Sequence, residues 1–423
     1  MYTVDPESVG VSSERLSVIS EWLDHQIRSE RLAGASVLFS RRGKNVFFKS
    51  AGVLDIESAA EFNEHAVIRI YSMTKPITSV AAMMLYERGH FQLDDPISTY
   101  IPAFKDTPVW LGGNEGFGAT EPARSQITVR QIMTHTSGLT YSFMHSNVVD
   151  REYRRRNIFM PSEHSNIEKW VDELAGIPLI CQPGAQWNYS VSTDVLGRLV
   201  EIWSGQKLSD YLLENIFEPL GMTKTGFHVD ESDQDNFASL YSPLSGGDLS
   251  NVAKSSEAVE KPKGGLLLQE SSTESRYLSP TSLYSGGGGL VSTISDYSQF
   301  CQMLLNRGKL GEARLLSPKT VEFMRLNQLP ENRDMAAMGQ PVWSETTYEG
   351  IGFGLGFAVV LDPVKAHVIT SIGEHHWGGA ASTFFWIDPL EDLYVVFLAQ
   401  LIPSSTYPIR RELRTAIYSA LID

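Results

Sequence analysis

Leu16, Ile19, Leu23 and Ile27 recur three or four residues apart between Ser12 and Arg31. That is the period of a helix with one apolar face. Ser12 or Ser13 can cap its start, and Gly34 follows its end. The next apolar runs, Ala35 to Ser40 and Asn45 to Ala51, are joined by Arg41-Arg42-Gly43-Lys44, a pattern that predicts a β-hairpin. A helix beginning near Ser72 has Pro76 in its first turn and Gly89 at its end, the usual placement of both residues. Ala81, Ala82, Met83, Met84 and Leu85 make it apolar on most sides, so it should be buried.

From Asp94 to about Leu290 the pattern reads as helices and long loops, with one helix from about Ser192 to Ser204. Trp110 to Arg124 reads as a glycine-rich surface insertion, and Ser242 to Ser285 as a long loop region with short elements. Gly286 to Gly289 reads as a flexible turn before a helix from about Ser295 to Arg307. Strand patterns then return at Phe353 to Leu361, Ala366 to Ile372, Ser382 to Ile387 and Leu393 to Gln400, before a final helix from about Tyr407 to Leu421. Strands at both chain ends with helices between predict an α/β (α+β) fold with one antiparallel sheet built from both termini. The expected lobes are residues 1–72 with 290–423, and a mostly helical 73–289, with a ligand cleft between them.

Composition narrows the function. The chain has 423 residues, 42 % hydrophobic and 20 % charged, with a formal net charge of −15. No basic stripe is available to neutralise phosphates, so neither nucleic acid nor an anionic membrane is an expected partner. The short basic run Arg151 to Arg156 reads as a solvated helix face. Cys181 and Cys301 are too few for a disulfide framework or a zinc site of ordinary spacing, and both are expected to be reduced and buried. Met83, Met84 and Met133 read as core. The first residues lack a basic segment followed by an apolar run, and no apolar stretch is long enough to span a bilayer. A cytoplasmic location is therefore expected; oligomeric state is left open.

The candidate chemistry lies in three segments. In Ser72-Met73-Thr74-Lys75 the serine and lysine share a helix face, so the amine can take the hydroxyl proton and activate the nucleophile. The helix dipole and first-turn amides favour negative charge at Ser72. In Trp187-Asn188-Tyr189-Ser190-Val191-Ser192, Tyr189 precedes a helix and can point into the cleft. A neighbouring ammonium is expected to lower its pKa and let it serve as base and then acid. In His375-His376-Trp377-Gly378-Gly379-Ala380-Ala381 small residues allow close approach of backbone to substrate, and an amide there, with that of Ser72, could form an oxyanion hole. His375 and His376 point to opposite faces of a strand, so no metal site is expected. His376 reads as pocket-lining and His135 as structural, while Tyr141, Phe143, Trp377 and Phe384 read as candidates for an apolar pocket. No Gly-x-Ser-x-Gly occurs, which gives no support to an α/β-hydrolase nucleophile elbow.

The order Ser-x-x-Lys, Tyr189 about a hundred residues on, and a late glycine-rich strand resembles class C β-lactamases, serine D-Ala-D-Ala carboxypeptidases and family VIII carboxylesterases. Leu93-Asp94-Asp95-Pro96-Ile97, Ile127 to Leu139 with His135-Thr136-Ser137-Gly138, and Phe217-Glu218-Pro219-Leu220-Gly221-Met222 fit the same frame. The resemblance runs from about Ser12 to the C-terminus and implies a β-lactamase/transpeptidase-like fold. The β-lactamases carry Tyr-x-Asn and a late Lys-Thr-Gly, where this chain has Tyr189-Ser190-Val191 and Trp377-Gly378-Gly379. Both departures look like the family VIII esterases. Statin side-chain acyltransferases also resemble the chain around His135 to His145. The literal Lys224-Thr225-Gly226 follows the Pro219 to Met222 turn and reads as a surface turn.

The resemblance implies a serine carboxylesterase acting on a small-molecule ester without a cofactor. Ser72 would be the nucleophile, Lys75 and Tyr189 would share the general base role, and Tyr189 would be the later acid. Ser72 and Ala380 would supply the oxyanion hole, or Gly379 if His376 rather than Trp377 takes the lysine's place. Trp377, Gly378, Gly379, His376, Tyr141 and Phe143 would line the substrate site. A β-lactamase or D-amino-acid peptidase, an acyltransferase using the same acyl-enzyme, and a non-catalytic penicillin-recognising sensor are the alternatives.

Overall fold

Helix α1 (Ser13–Arg28) opens the chain, with the Ser12 side chain accepting from the Arg15 amide as its cap. Strands β1 (Gly34–Arg41) and β2 (Lys44–Gly52) form the predicted hairpin. Its two connecting residues, Arg42 and Gly43, both have positive φ, at 52° and 71°, which matches the twist of a tight hairpin. The computed structural model describes residues 1–113, 116–158, 166–244, 264–339 and 348–423. Late in the chain come β3 (Ile351–Phe353), β4 (Ala358–Val360), β5 (His375–Gly378), β6 (Phe384–Asp388) and β7 (Leu393–Ala399). All seven join in one sheet of order β3-β4-β5-β6-β7-β1-β2. Its seam between chain ends is antiparallel, from Ala35 opposite Ala399 to Arg41 opposite Leu393.

This sheet is buried on both faces. Val37, Phe39, Val395 and Phe397 pack with α1 and the C-terminal helix, whereas Leu38, Val396 and Leu398 join the larger core on the other side. Double coverage explains why its central strands read as nearly continuous apolar runs rather than alternating ones. On the larger-core side lie α2 (Thr74–Glu87), α3 (Ser192–Ser204) and α4 (Ile294–Leu305). On the other lies α5 (Ile409–Ser419) beside α1. Every α2 residue from Thr74 to Leu85 is buried, as its apolar composition requires. Apart from α3, the described residues between α2 and α4 form short helices, short strand pairs and loops; on one of those helices Arg154 pairs with buried Asp150, and Arg155 and Arg156 pair with Glu152. Cys181 and Cys301 are free and buried, and Met83, Met84 and Met133 are core. Among the described residues, no helix is long and apolar enough to cross a membrane.

Three local expectations are corrected. The run Phe353 to Leu361 is two strands, not one. Between them Gly356 has φ 104°, and an added Cβ would lie 2.3 Å from Ser79 Oγ, so the chain reverses where only glycine fits. Ala366 to Ile372 is irregular, with Ile369 and Ile372 exposed; the strand starts at His375. Gly286 to Gly289 is a packed strip rather than a flexible turn: Cβ atoms at Gly286 and Gly287 would meet Thr193 O at 2.7 Å and Asp194 Oδ2 at 2.4 Å. Residues 114–115 of the expected insertion and 245–263 of the expected loop region lie outside the described residues. Flanking the latter, Leu240–Pro243 pairs with Leu266–Glu270.

Candidate active site

Ser72 sits in a single tight turn, Tyr71–Met73, that leads into α2. Tyr71 has φ 42°, so the strand-to-helix corner presents Ser72 outward. Lys75, in the first turn of α2, folds back to place Nζ 3.2 Å from Ser72 Oγ. The Tyr189 hydroxyl, from the segment before α3, donates to the same Oγ at 2.6 Å. Lys75 Nζ also lies 3.0 Å from the Tyr141 hydroxyl and donates to Gly287 O at 2.7 Å. Three segments distant in sequence, at Tyr141, Tyr189 and Gly287, thus converge on the Ser72–Lys75 pair.

The amine is buried. Burial pushes its pKa down to about 7, with the Asp194 carboxylate pulling the other way. A neutral amine has two N–H donors and one lone pair. Gly287 O can only accept, so it takes one N–H; with the other directed to Tyr141, the lone pair is left to the Ser72 hydroxyl. Tyr189 departs from expectation. Burial raises its pKa above the ordinary phenol value, and the Ser72 and Trp377 contacts only partly oppose this. Tyr189 is therefore a protonated donor in the resting site. The expected lowering by an ammonium fails because Lys75 itself is readily deprotonated.

His135 supports Tyr189 from behind. Its Nδ1 is 3.1 Å from Ser190 Oγ, and its ring meets that of Tyr189 edge-on at 5.0 Å. Burial, then Lys75, depresses its pKa. Trp377 projects from β5 against Tyr189 and Phe353, with ring centroids at 5.5 Å and 5.3 Å. His376 points to the opposite face, where its Nδ1 is 2.7 Å from Glu374. Beyond β5 the Gly379 amide donates to Thr383 O at 2.8 Å. A Cβ there would collide with Ile70 O at 2.4 Å, so glycine lets the end of the strand lie directly against the Ser72 corner.

Two cavities meet at Ser72 and Ala380. One, of about 80 Å³, runs past Trp377, Gly378 and Gly379 toward His376 and Arg410. The other, of about 570 Å³, is walled by Tyr71, Tyr141, Phe143, Phe227, Tyr277 and Leu283. Tyr141 and Phe143 stack at 4.5 Å, so Tyr141 both lines this cavity and contacts Lys75, a role its sequence context did not reveal. Phe384 touches the narrow cavity but stacks on Trp386 and Phe397 within the core beneath α5. Lys224 is paired with Asp233, and Thr225 bonds to Ser292 and Asp296; neither lines a cavity at Ser72. Asp194 is a further buried group that the motifs did not indicate. It lies five residues after Tyr189, in the first turn of α3, and no spacing rule connects it to Lys75.

A serine at a helix start beside a buried amine and a phenol, in a sheet made by both chain ends, defines a serine hydrolase or acyltransferase of the β-lactamase fold. The chain belongs to the Beta-lactamase family, whose model matches residues 19–418. It is 33 % identical over 376 residues to Protein Rv1367c of Mycobacterium tuberculosis, covering 88 % of this chain and 86 % of that one. It is 28 % identical over 424 residues to Esterase EstB of Burkholderia gladioli, covering 99 % of each. Its fold matches EstCE1, described as a hydrolase with promiscuous acyltransferase activity, with a TM-score of 0.75, 27 % identity and coverage of 96 % of this chain and 99 % of that one.

Proposed function

We propose that the protein is a serine carboxylesterase working through an acyl-enzyme. The observation that carries this reading is the run of contacts Tyr189 O–H to Ser72 Oγ to Lys75 Nζ. Neutral Lys75 takes the Ser72 proton as Oγ bonds to the ester carbonyl carbon. The carbonyl oxygen becomes an oxyanion facing the amides of Ser72 and Ala380; Gly379 is the weaker candidate because its amide already serves Thr383. As the tetrahedral intermediate collapses, the bond to the alcohol oxygen breaks and Tyr189 supplies its proton. The proton then held by the Lys75 ammonium, which faces the Tyr189 ring, is the one that returns to the phenolate. Water then repeats the sequence against the acyl-enzyme, releasing the acid and free Ser72.

Ester rather than lactam is favoured by the apolar Trp377 where a β-lactamase carries a cation for the substrate carboxylate. The wide aromatic cavity suits a bulky apolar arm of the ester, and the narrow one a short arm. The same wide cavity can admit an alcohol in place of water, which supports acyl transfer as a second activity of the same intermediate; EstCE1 is described as having both.

The test is hydrolysis of a short p-nitrophenyl ester beside nitrocefin, with wild type and Ser72→Ala. Ester turnover and phosphonate labelling should vanish in the variant, with nitrocefin cleaved slowly or not at all by either. Nitrocefin turnover matching that of the ester would reassign the protein as a β-lactamase. Undiminished ester turnover by Ser72→Ala would remove the nucleophile assignment.

A further inference from the structure

Asp194 is buried in the first turn of α3, and the mechanism above gives it no step. Its Oδ1 accepts from the Gly287 amide at 3.0 Å and also from the Ser285 hydroxyl. The carbonyl of the same Gly287 accepts from Lys75 Nζ at 2.7 Å. One residue thus carries the carboxylate on its amide side and the catalytic amine on its carbonyl side. The fit leaves little room, since a Cβ at Gly287 would meet Asp194 Oδ2 at 2.4 Å. Neighbouring Gly286 is held through its carbonyl by Thr78 on α2, at 2.8 Å.

We propose that Asp194 is a positioning residue of this site: it anchors Gly287, whose carbonyl orients Lys75, and it sets a negative charge behind that amine. The inference rests on the Ser72–Lys75 reading above. Burial raises the Asp194 carboxyl above its ordinary value, while Lys75, the Ser285 hydroxyl and the Gly287 amide oppose it; those two donors and the place in the first turn of a helix are what favour the ionised form. The titratable groups around Lys75 are Tyr189 before α3, Tyr141 from the loop at 141, His135 from its turn, and Asp194 on α3. Burial keeps both tyrosines protonated and the histidine neutral. Of these four, Asp194 alone supplies negative charge. Burial drives Lys75 toward the neutral amine, and Asp194 opposes it. Without that opposition the amine would be neutral over a wider pH range but a weaker base, less able to take the Ser72 proton.

The test is the pH dependence of Ser72 phosphonylation by a p-nitrophenyl phosphonate in the full chain. Asp194→Asn keeps an acceptor for Gly287 and removes the charge. Its acid limb should move down by roughly one pH unit, with a plateau rate about tenfold below wild type. Ser285→Ala, which removes one of the two donors that favour the ionised carboxylate, should move the limb the same way by less. An unmoved limb in folded Asp194→Asn would overturn the inference, as would an unmoved limb in Ser285→Ala should Asp194→Asn fail to fold. Wild-type protein that is never labelled at Ser72 would instead overturn the catalytic reading itself, so the two failures are distinct.

Discussion

At the scale of single residues, the site is decided by what burial does to Lys75 and Tyr189. The same desolvation acts in opposite senses, because it penalises the ammonium of one and the phenolate of the other. The amine becomes a usable base and the phenol a retained acid. Since the base form is the neutral amine, and its pKa is about 7, kcat/KM for an ester should fall about tenfold per pH unit below pH 7 and level off above it. A pH profile measured at substrate concentrations below KM checks this. A flat profile down to pH 5 would show that the proton acceptor is not Lys75. Replacing Lys75 by Ala should lower the plateau by on the order of 10⁴-fold, as catalytic groups acting as a unit do; pre-steady-state acylation rates give the number directly.

At the scale of elements, glycines do what side chains cannot. The strip from Gly286 to Gly289 threads between α2 and α3, held by Thr78 on one side and Asp194 on the other. Composition alone suggested mobility there, because four glycines carry no side-chain information and can equally mark a loose turn or a place where backbones touch. Gly287→Ala is expected to displace either Asp194 or the Gly287 carbonyl, and so to lower kcat at least tenfold with a smaller change in KM. Unchanged kcat in a folded variant would mean that the strip has more room than its contacts indicate. The late strands show the same ambiguity. Phe353 to Leu361 is apolar throughout, yet it is broken at Gly354 to Gly356 into two strands, and Ala366 to Ile372 has a strand-like composition but lies in the connection between β4 and β5, which pair with each other.

At the scale of the molecule, two cores share one sheet, and α5 closes the smaller of them. An ion pair locks α5 to the segment that enters β5. Arg414 on α5 donates from Nε and Nη2 to the two Glu374 oxygens, at 3.1 Å and 2.9 Å, with His376 on the same carboxylate. Burial pushes the Glu374 carboxyl up, but Arg414 and His376 outweigh it and hold the acid well below the usual carboxylate range. A depressed pKa stabilises the fold above the unfolded value of roughly 4.3, and that contribution is lost as pH falls further toward the folded value. Acid unfolding should therefore begin below about pH 4. Glu374→Gln leaves Arg414 buried with a neutral partner and should cost about 3 kcal/mol, read from urea unfolding at pH 7. A loss below about 0.5 kcal/mol would show that solvent reaches the pair.

The sequence by itself determined the elements whose periodicity or capping is local: α1 with its serine cap, the first hairpin, buried α2 and α3. It also marked Ser72, Lys75 and Tyr189 as candidates, through the three-residue spacing of the first two and the polar turn before α3 that carries the third. Tertiary structure alone decided what depends on contacts between distant segments. Lys75 meets Gly287 and Tyr141 only once α2, the glycine strip and the loop at 141 are packed together. Asp194 enters for the same reason, and Tyr189 stays protonated because the fold removes water from it. A pKa, a cavity and a carbonyl pointing at an amine belong to assembled surroundings, and no local pattern of residues encodes them.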